Sequence, residues 1–175
     1  MTTTVDGNSG GTVLTTTSVL TTQGQVLQVV NYQTGAVATG TTTIPYDDTV
    51  PQNTEGTEFM SLAITPRSAT SILVIGVVWN GTISTVAAAN LCMALFQDST
   101  ASALASAQLA SISASANLNV SLVHKMTSGT TSATTFKVRV GGSAVAGTTT
   151  FNGQSAARLY GGTLASSITI TEVVP

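Results

Sequence analysis

The run ILVIGVVW, residues 72–79, is the longest apolar stretch of the chain. A strand with one buried face alternates apolar and polar residues, whereas apolar residues at both parities indicate a strand covered on both sides. Val and Ile also fit the pleated surface of a sheet, and eight residues are too few to cross a bilayer. The run therefore predicts a central strand in a layered β structure.

Two later segments alternate as half-buried strands do. The first, NLNVSLVHKM (117–126), places polar residues on one face, with Val123 as the exception, and an apolar set on the other: Leu118, Val120, Leu122, His124 and Met126. In the second, 135–140, Phe136, Val138 and Val140 point inward and Lys137 and Arg139 point outward.

Further strand signals lie at 25–32, 57–65, 90–97 and 167–174, with turn-forming clusters between them. Short strands at regular spacing, without helical patterns between them, predict an all-β antiparallel jelly-roll β-sandwich. Ser99–Ala110 is rich in Ala and fits either a strand or a short capped helix, and we favour the strand. The Gly-rich segment 141–147 lacks the Lys-Ser/Thr of a phosphate loop and is predicted to be a hairpin loop.

The chain divides into an arm, residues 1–24, and one domain, residues 25–175. The arm is rich in Thr and Gly with isolated apolar residues, so it cannot bury enough apolar surface to fold alone. We expect it to be an extended anchor. The side chains predicted to dock into a partner are Val13, Leu14, Val19 and Leu20.

Charged residues make up only 7% of the chain, against about a quarter in ordinary domains. Such a surface offers few groups for acid–base chemistry, so we expect no enzyme. The net charge of −2 and the pI near 5.0 argue against nucleic-acid binding. Mean hydropathy is +0.36, which is unlike a disordered chain.

Cys92 is the only cysteine, which excludes an intrachain disulfide and leaves no zinc-binding spacing. It lies in the apolar run NLCMALFQ (90–97) and is predicted to be a buried small hydrophobic residue. No secretory signal is recognisable at the N-terminus. We therefore expect synthesis in a cytoplasm and no membrane partner.

The runs 72–79 and 90–97 are apolar on both faces, so something must cover the second face of each. Because sparse charge removes the usual repulsion between copies, we predict a homo-oligomer, most simply a threefold ring.

Residues 24–75 resemble a module of tailed-bacteriophage structural proteins. Its marks are G-x-V-L-Q-V-V at 24–30, I-P-x-D-D-T-x-P-Q-x-T-E-G at 44–56, and I-T-P at 64–66 followed by S-A-T-S at 68–71. TSATTFKVRV (131–140) and ASSITITEV (165–173) are similar to the C-terminal end of such modules. The resemblance implies a compact trimeric sandwich of the C1q/TNF-like type, used on tail fibres and capsid surfaces. No fibre shaft is encoded here, which favours capsid decoration.

The remaining candidate residues have structural and functional interpretations. His124 and Trp79 are predicted to be core or subunit-interface residues, although Trp79 and Tyr160 could also stack on a receptor. Four acids, Asp47, Asp48, Glu55 and Glu58, could bind a cation or form turns, and we favour turns because their spacing is unlike an EF-hand loop. We predict no cofactor.

Together these features predict a virion structural protein, a trimeric knob attached to capsid or tail proteins through residues 1–24. The alternative is a receptor-binding fibre tip that recognises a host glycan or protein.

Overall fold

The computed structural model describes residues 23–84, 90–110, 116–143 and 147–175. In these ranges the chain forms antiparallel strands and one short 3-10 turn, at Tyr160–Gly162. The strands are β1 (Val26–Thr34), β2 (Ala38–Gly40), β3 (Thr57–Ile64), β4 (Ile72–Ser84), β5 (Asn90–Gln97), β6 (Ala105–Ala110), β7 (Asn117–Thr127), β8 (Thr134–Gly142), β9 (Thr148–Phe151), β10 (Gly153–Gln154), β11 (Ala157–Arg158) and β12 (Ser166–Val173). The predicted all-β class is confirmed.

Ten of these strands form a sandwich of two sheets, and β10 and β11 pair with each other as a separate small ribbon. In the first sheet β1, β12, β4 and β7 lie side by side. The strands β9 and β2 extend this sheet beside the second half of β4. In the second sheet the order is β3, β8, β5, β6.

The pairings are nested along the chain. β5 pairs with β6, β4 with β7, β3 with β8, and β1 with β12. A long antiparallel hairpin rolled into two sheets gives this order, which is that of a jelly roll. The predicted antiparallel jelly-roll β-sandwich is therefore confirmed.

The core lies between the sheets and is built from their inward-facing residues. β4 contributes Leu73, Ile75, Val77 and Trp79, all at most 1% exposed. The other members come chiefly from β5, β8 and β12: Leu91, Met93, Leu95, Phe136, Val138, Val140, Ile168 and Ile170. Each such side chain contributes about 1.5–3 kcal/mol when fully buried, so this layer is the main source of stability.

The alternation predicted for two strands is confirmed. In β7, Leu118, Val120 and Leu122 are buried, and His124 and Met126 are half-buried on the same inward face. In β8 the buried set is Phe136, Val138 and Val140, and Lys137 and Arg139 face outward.

The second face of β5 is covered by the chain itself. Residues 41–56, here called the strap, cross the outer face of the second sheet. Ile44 of the strap packs there on Cys92, Ala94 and Phe96. The sequence-based expectation that a partner chain covers this face is therefore wrong for β5, because the strap lies too far away in sequence for a local pattern to reveal it.

Two uncertain segments take definite forms. Residues 105–110 are the strand β6, so the favoured strand is confirmed there and the helical alternative is wrong. Gly141 and Gly142 end β8 in the second sheet, whereas β9 pairs in the first sheet. Residues 144–146 lie outside the described residues, but the flanking strands β8 and β9 belong to different sheets and so are not the two strands of one hairpin. No helix within the described ranges is long and apolar enough to cross a membrane.

Candidate functional site

The outer face of the first sheet has no cover of its own within the part of the chain that the structure describes. The pairing register brings outward-facing residues of β1, β12, β4 and β7 into rows. We call this surface the valine face, and its apolar members are Val26, Val29, Ile72, Val74, Val78, Val123 and Val173.

Exposure of the valine face is greatest on its two edge strands, β1 and β7. Val123 is 74% exposed and Val29 is 56% exposed. Gly76 lies beside Val123 in the register, and an added Cβ on Gly76 would meet nothing within 4 Å. Lys125 is an outward-facing cation on the outermost strand of this sheet. Exposed apolar side chains gathered on one uncovered face are a candidate interaction surface, whereas single scattered ones are not.

The strap covers part of the outer face of the opposite sheet, and Arg139 helps to hold it there. The Arg139 side chain donates from Nε to the Glu55 carbonyl oxygen and from Nη2 to the Gly56 carbonyl oxygen, both at 2.8 Å. Its Nη1 lies 3.5 Å from a carboxylate oxygen of Glu58. Strand and strap are in close contact, since a Cβ on Gly141 would approach the Thr42 carbonyl oxygen to 2.3 Å.

The acids at 47–58 stabilise turns and the strap. Asp47 Oδ1 accepts hydrogen bonds from the Thr49 hydroxyl and N–H, which lower the pKa of this carboxyl. A Glu55 carboxylate oxygen accepts from the Gln52 N–H at 2.9 Å. Among the described residues no three His, Cys, Asp or Glu side chains lie close enough to hold a metal ion. The arrangement provides turn-capping groups and one ion pair.

Glu172 is a buried carboxylate that the sequence did not single out. It is fully buried and accepts from Ser71 Oγ and Gln28 Nε2, both at 2.5 Å. It also accepts from the N–H groups of Arg67 at 2.8 Å and Ser68 at 3.4 Å. Burial by itself would raise the pKa of Glu172. The four hydrogen bonds together lower it by more than burial raises it, so the pKa lies below its ordinary value. The sequence does carry a signal for this burial. Glu172 lies two and four residues after Ile170 and Ile168, so strand alternation places all three on the inward face of β12.

The predicted aromatic and histidine residues lie in different places. Trp79 is fully buried, and its ring lies 6.3 Å from those of Phe59 and Phe151. It is therefore inaccessible to a receptor. His124 is half-buried on the inward face of β7, away from the valine face. Tyr160 is 73% exposed and remains available to a partner.

Cys92 is buried under the strap, and desolvation raises the pKa of its thiol. Such a thiol is a poor nucleophile at neutral pH. The anchoring residues predicted in the arm, Val13, Leu14, Val19 and Leu20, lie outside the described residues, and their role stays a prediction.

A groove lies between the strap and β6. It is a cavity of about 280 Å³ that continues into a shallower depression of about 360 Å³. Tyr46, 65% exposed, stands at its rim. Sequence reasoning missed this groove, because it forms between residues about sixty positions apart.

No protein-family model matches the chain, and no curated protein matches it. Distant solved structures do. Dimeric latent PorU from Porphyromonas gingivalis is 12% identical with a TM-score of 0.39, over 87% of this chain and 14% of that chain. The Gx strain of infectious bursal disease virus is 12% identical with a TM-score of 0.38, over 95% of this chain and 42% of that chain.

The VP2 subviral particle of infectious bursal disease virus is also 12% identical, with a TM-score of 0.36, over 96% of this chain and 43% of that chain. The chain thus spans less than half of each of these proteins. Likenesses this distant assign neither a family nor an activity.

Proposed function

We propose that the protein is a non-enzymatic structural protein of a bacteriophage virion. Three copies form a C1q/TNF-like knob on the surface of the particle, and residues 1–24 attach the knob to capsid or tail proteins. The observation that carries this proposal is the contrast between the two sheets. One has an intrachain cover, the strap, and the other exposes the valine face.

Association through the valine face follows from the physics of apolar surface. Burying a large aliphatic side chain contributes about 1.5–3 kcal/mol relative to leaving it in water. Val29, Val78 and Val123 are exposed in the single copy, and their neighbours are chiefly Thr, Ser and Asn, which desolvate at lower cost than charged groups. A second copy of the same chain, equally poor in charge, is the fitting cover. The number three comes from the resemblance to phage modules.

A structural role rather than catalysis is supported by the chemistry of the side chains. General acid–base catalysis needs a positioned group whose pKa lies near the working pH. The buried carboxylate Glu172 has its pKa shifted away from neutrality, and Asp47, Glu55 and Glu58 are each engaged in local contacts. These groups hold the fold together.

Within the virion we favour capsid decoration or a short fibre. The alternative is a receptor-binding fibre tip, and the exposed Tyr46 and Tyr160 favour it. Copy number in purified particles distinguishes the two. Hundreds of copies indicate decoration, whereas about a dozen indicate tail or vertex.

The assembly is tested with the Val123→Asp variant. A charge at the most exposed position of the valine face should convert trimers into monomers with an unchanged fold, measured by sedimentation equilibrium and circular dichroism. Val50→Asp, an exposed valine on the strap, is the matched control and should stay trimeric. A monomeric unmodified protein, or a Val123→Asp variant that remains trimeric, contradicts assembly through this face.

A further inference from the structure

The groove between the strap and β6 has the form of a small-ligand site. Its deeper part and its shallower part share Asp47, Thr49, Pro51 and Ser106, so the two are continuous. The deeper volume of about 280 Å³ lies just below the range for ligand pockets, about 300–1,000 Å³, and the shallower part adds to it. The combined groove could therefore accept a ligand of one or two rings.

The walls of the groove are held in place before any ligand arrives. On one side β6 is paired along β5 from Ala105 to Ala110. On the other side the strap is fixed by Arg139 and by Ile44, which is 2% exposed. A preformed groove costs little ordering entropy when it binds.

The lining combines an apolar floor with neutral polar groups at the rim. Ile44, Pro45 and Cys92 contribute apolar surface to the floor and walls. The polar contributors include Ser106 and Gln108. A glutamine amide both donates and accepts hydrogen bonds, and a serine hydroxyl does the same. This set suits a ligand that carries several hydroxyl groups.

The charges of the groove restrict the class of ligand. No Lys, Arg or His is among the residues that line either part, whereas Asp47 lines both and Asp48 lines the shallower one. Anionic ligands would therefore be repelled. Asp47 uses Oδ1 for the Thr49 turn, and a carboxylate has further acceptor capacity for a ligand hydroxyl on its other oxygen.

We propose that this groove binds a neutral saccharide. The C–H face of one sugar ring lies on the exposed ring of Tyr46, and its hydroxyl groups bond to Asp47, Ser106 and Gln108. A tyrosine offers a large, rigid contact surface with a polar tip, which matches a sugar's apolar face and hydroxyl edge. The groove lies on the sheet opposite the valine face, so the proposal is independent of the assembly proposed above.

The test uses the full chain and an array of immobilised oligosaccharides, neutral, sialylated and sulfated, together with a tri-lysine peptide. We expect binding to one or more neutral oligosaccharides. Tyr46→Ala and Gln108→Ala should each weaken it by about tenfold or more, a difference of about 1.4 kcal/mol. Tyr160→Ala removes an equally exposed tyrosine elsewhere and is the matched control, expected to bind as the unmodified chain does.

Tyr46 and Gln108 are both exposed, so their alanine variants should have the same melting temperature as the unmodified protein. A lowered affinity of either variant then reflects a lost contact in the groove and not a loss of folding. Absence of binding to every neutral oligosaccharide overturns the proposal. So does binding only to acidic glycans, binding only to the tri-lysine peptide through a cation on Tyr46, or a Tyr160→Ala variant that loses binding while Tyr46→Ala keeps it. Loss of trimers with intact saccharide binding would contradict the assembly alone.

Discussion

Glu172 occupies a position that the alternation of β12 reserves for the core, and it is retained there by its hydrogen-bond donors. Two of these come from side chains, Ser71 and Gln28, and two from backbone N–H groups. A buried charge without such partners would cost several kcal/mol. With them, Glu172 ties the 67–71 turn and β1 to the last strand.

This network makes stability depend on pH. The pKa of Glu172 in the folded protein lies below its ordinary value of 4.5, so the unfolded chain binds the proton more tightly. The stabilisation is fully present above pH 4.5 and is lost as the pH falls through the folded-state pKa. We expect the free energy of unfolding, from urea titrations at neutral and acid pH, to fall in that window.

Glu172→Gln should remove about 1–3 kcal/mol at neutral pH, because the amide opposes donors with a donor of its own. The variant should also lose part of the acid dependence. Asp48→Asn, which removes an exposed acid, is the control and should change the free energy of unfolding by less than about 0.5 kcal/mol. Equal acid dependence in the unmodified protein and Glu172→Gln would show that other carboxylates account for it.

The strap is the element that distinguishes the two sheets, and Arg139 is its fastening. Arg139→Ala should lower the free energy of unfolding by about 2–3 kcal/mol. The variant removes two hydrogen bonds from a charged donor, so two carbonyl oxygens of the strap lose this donor. Arg139→Lys should recover little, because an ammonium cannot reproduce the planar fork of a guanidinium.

Cys92 provides a local measurement of strap opening, because this residue is only 7% exposed beneath the strap. In Arg139→Ala the thiol should react with a disulfide reagent faster than in the unmodified protein, under conditions where the far-ultraviolet circular dichroism is unchanged. Lys137→Ala, from the same outward face of β8, is the matched control. Unchanged reactivity in Arg139→Ala would mean that the packing of Ile44 and the main-chain hydrogen bonds of the strap, such as that from the Ile44 N–H to the Gly142 carbonyl oxygen, hold it without Arg139.

At the scale of elements, the sequence predicted burial best for strands that bury one face and expose the other to solvent. β7 and β8 have this property, and their inward residues followed from the alternation alone. β5 does not, because its second face is covered by Ile44, a residue about fifty positions away. Gly141 and Gly142 suggested a hairpin for a related reason. A local turn signal predicts where a strand ends, but it does not predict which sheet the next strand joins.

At the scale of the whole molecule, the order of the strands could not be predicted from periodicity. Periodicity indicates which residues of a strand face the core, but it does not indicate which strands pair with each other. The strand spacing indicated a sandwich or jelly roll, and the nested pairings establish the jelly-roll order. The valine face needed the register as well. Val26, Val74 and Val123 belong to three different strands, and only the pairing places them on one surface.

The boundary between arm and domain gives the last prediction. The Gly24 N–H donates to the Val174 carbonyl oxygen at 3.0 Å, and the Val174 N–H donates to the Gln25 carbonyl oxygen at 2.9 Å. Main-chain hydrogen bonds therefore join the start of the domain to its last strand from residue 24 onward. Deletion of residues 1–20 removes none of them. The truncated protein should keep its melting temperature and its oligomeric mass, and it should fail to join particles in an assembly assay.

Alanine at Val13, Leu14, Val19 and Leu20 together is the finer version of this deletion, since it keeps the length of the arm and removes only its larger apolar side chains. We expect it to lower incorporation as the deletion does, measured as copies per particle by quantitative mass spectrometry. Val50→Asp, with an intact arm, should be incorporated normally. Normal incorporation of the truncated protein would show that particle attachment uses the folded domain, and a truncated protein that fails to fold would show that the arm belongs to the sandwich.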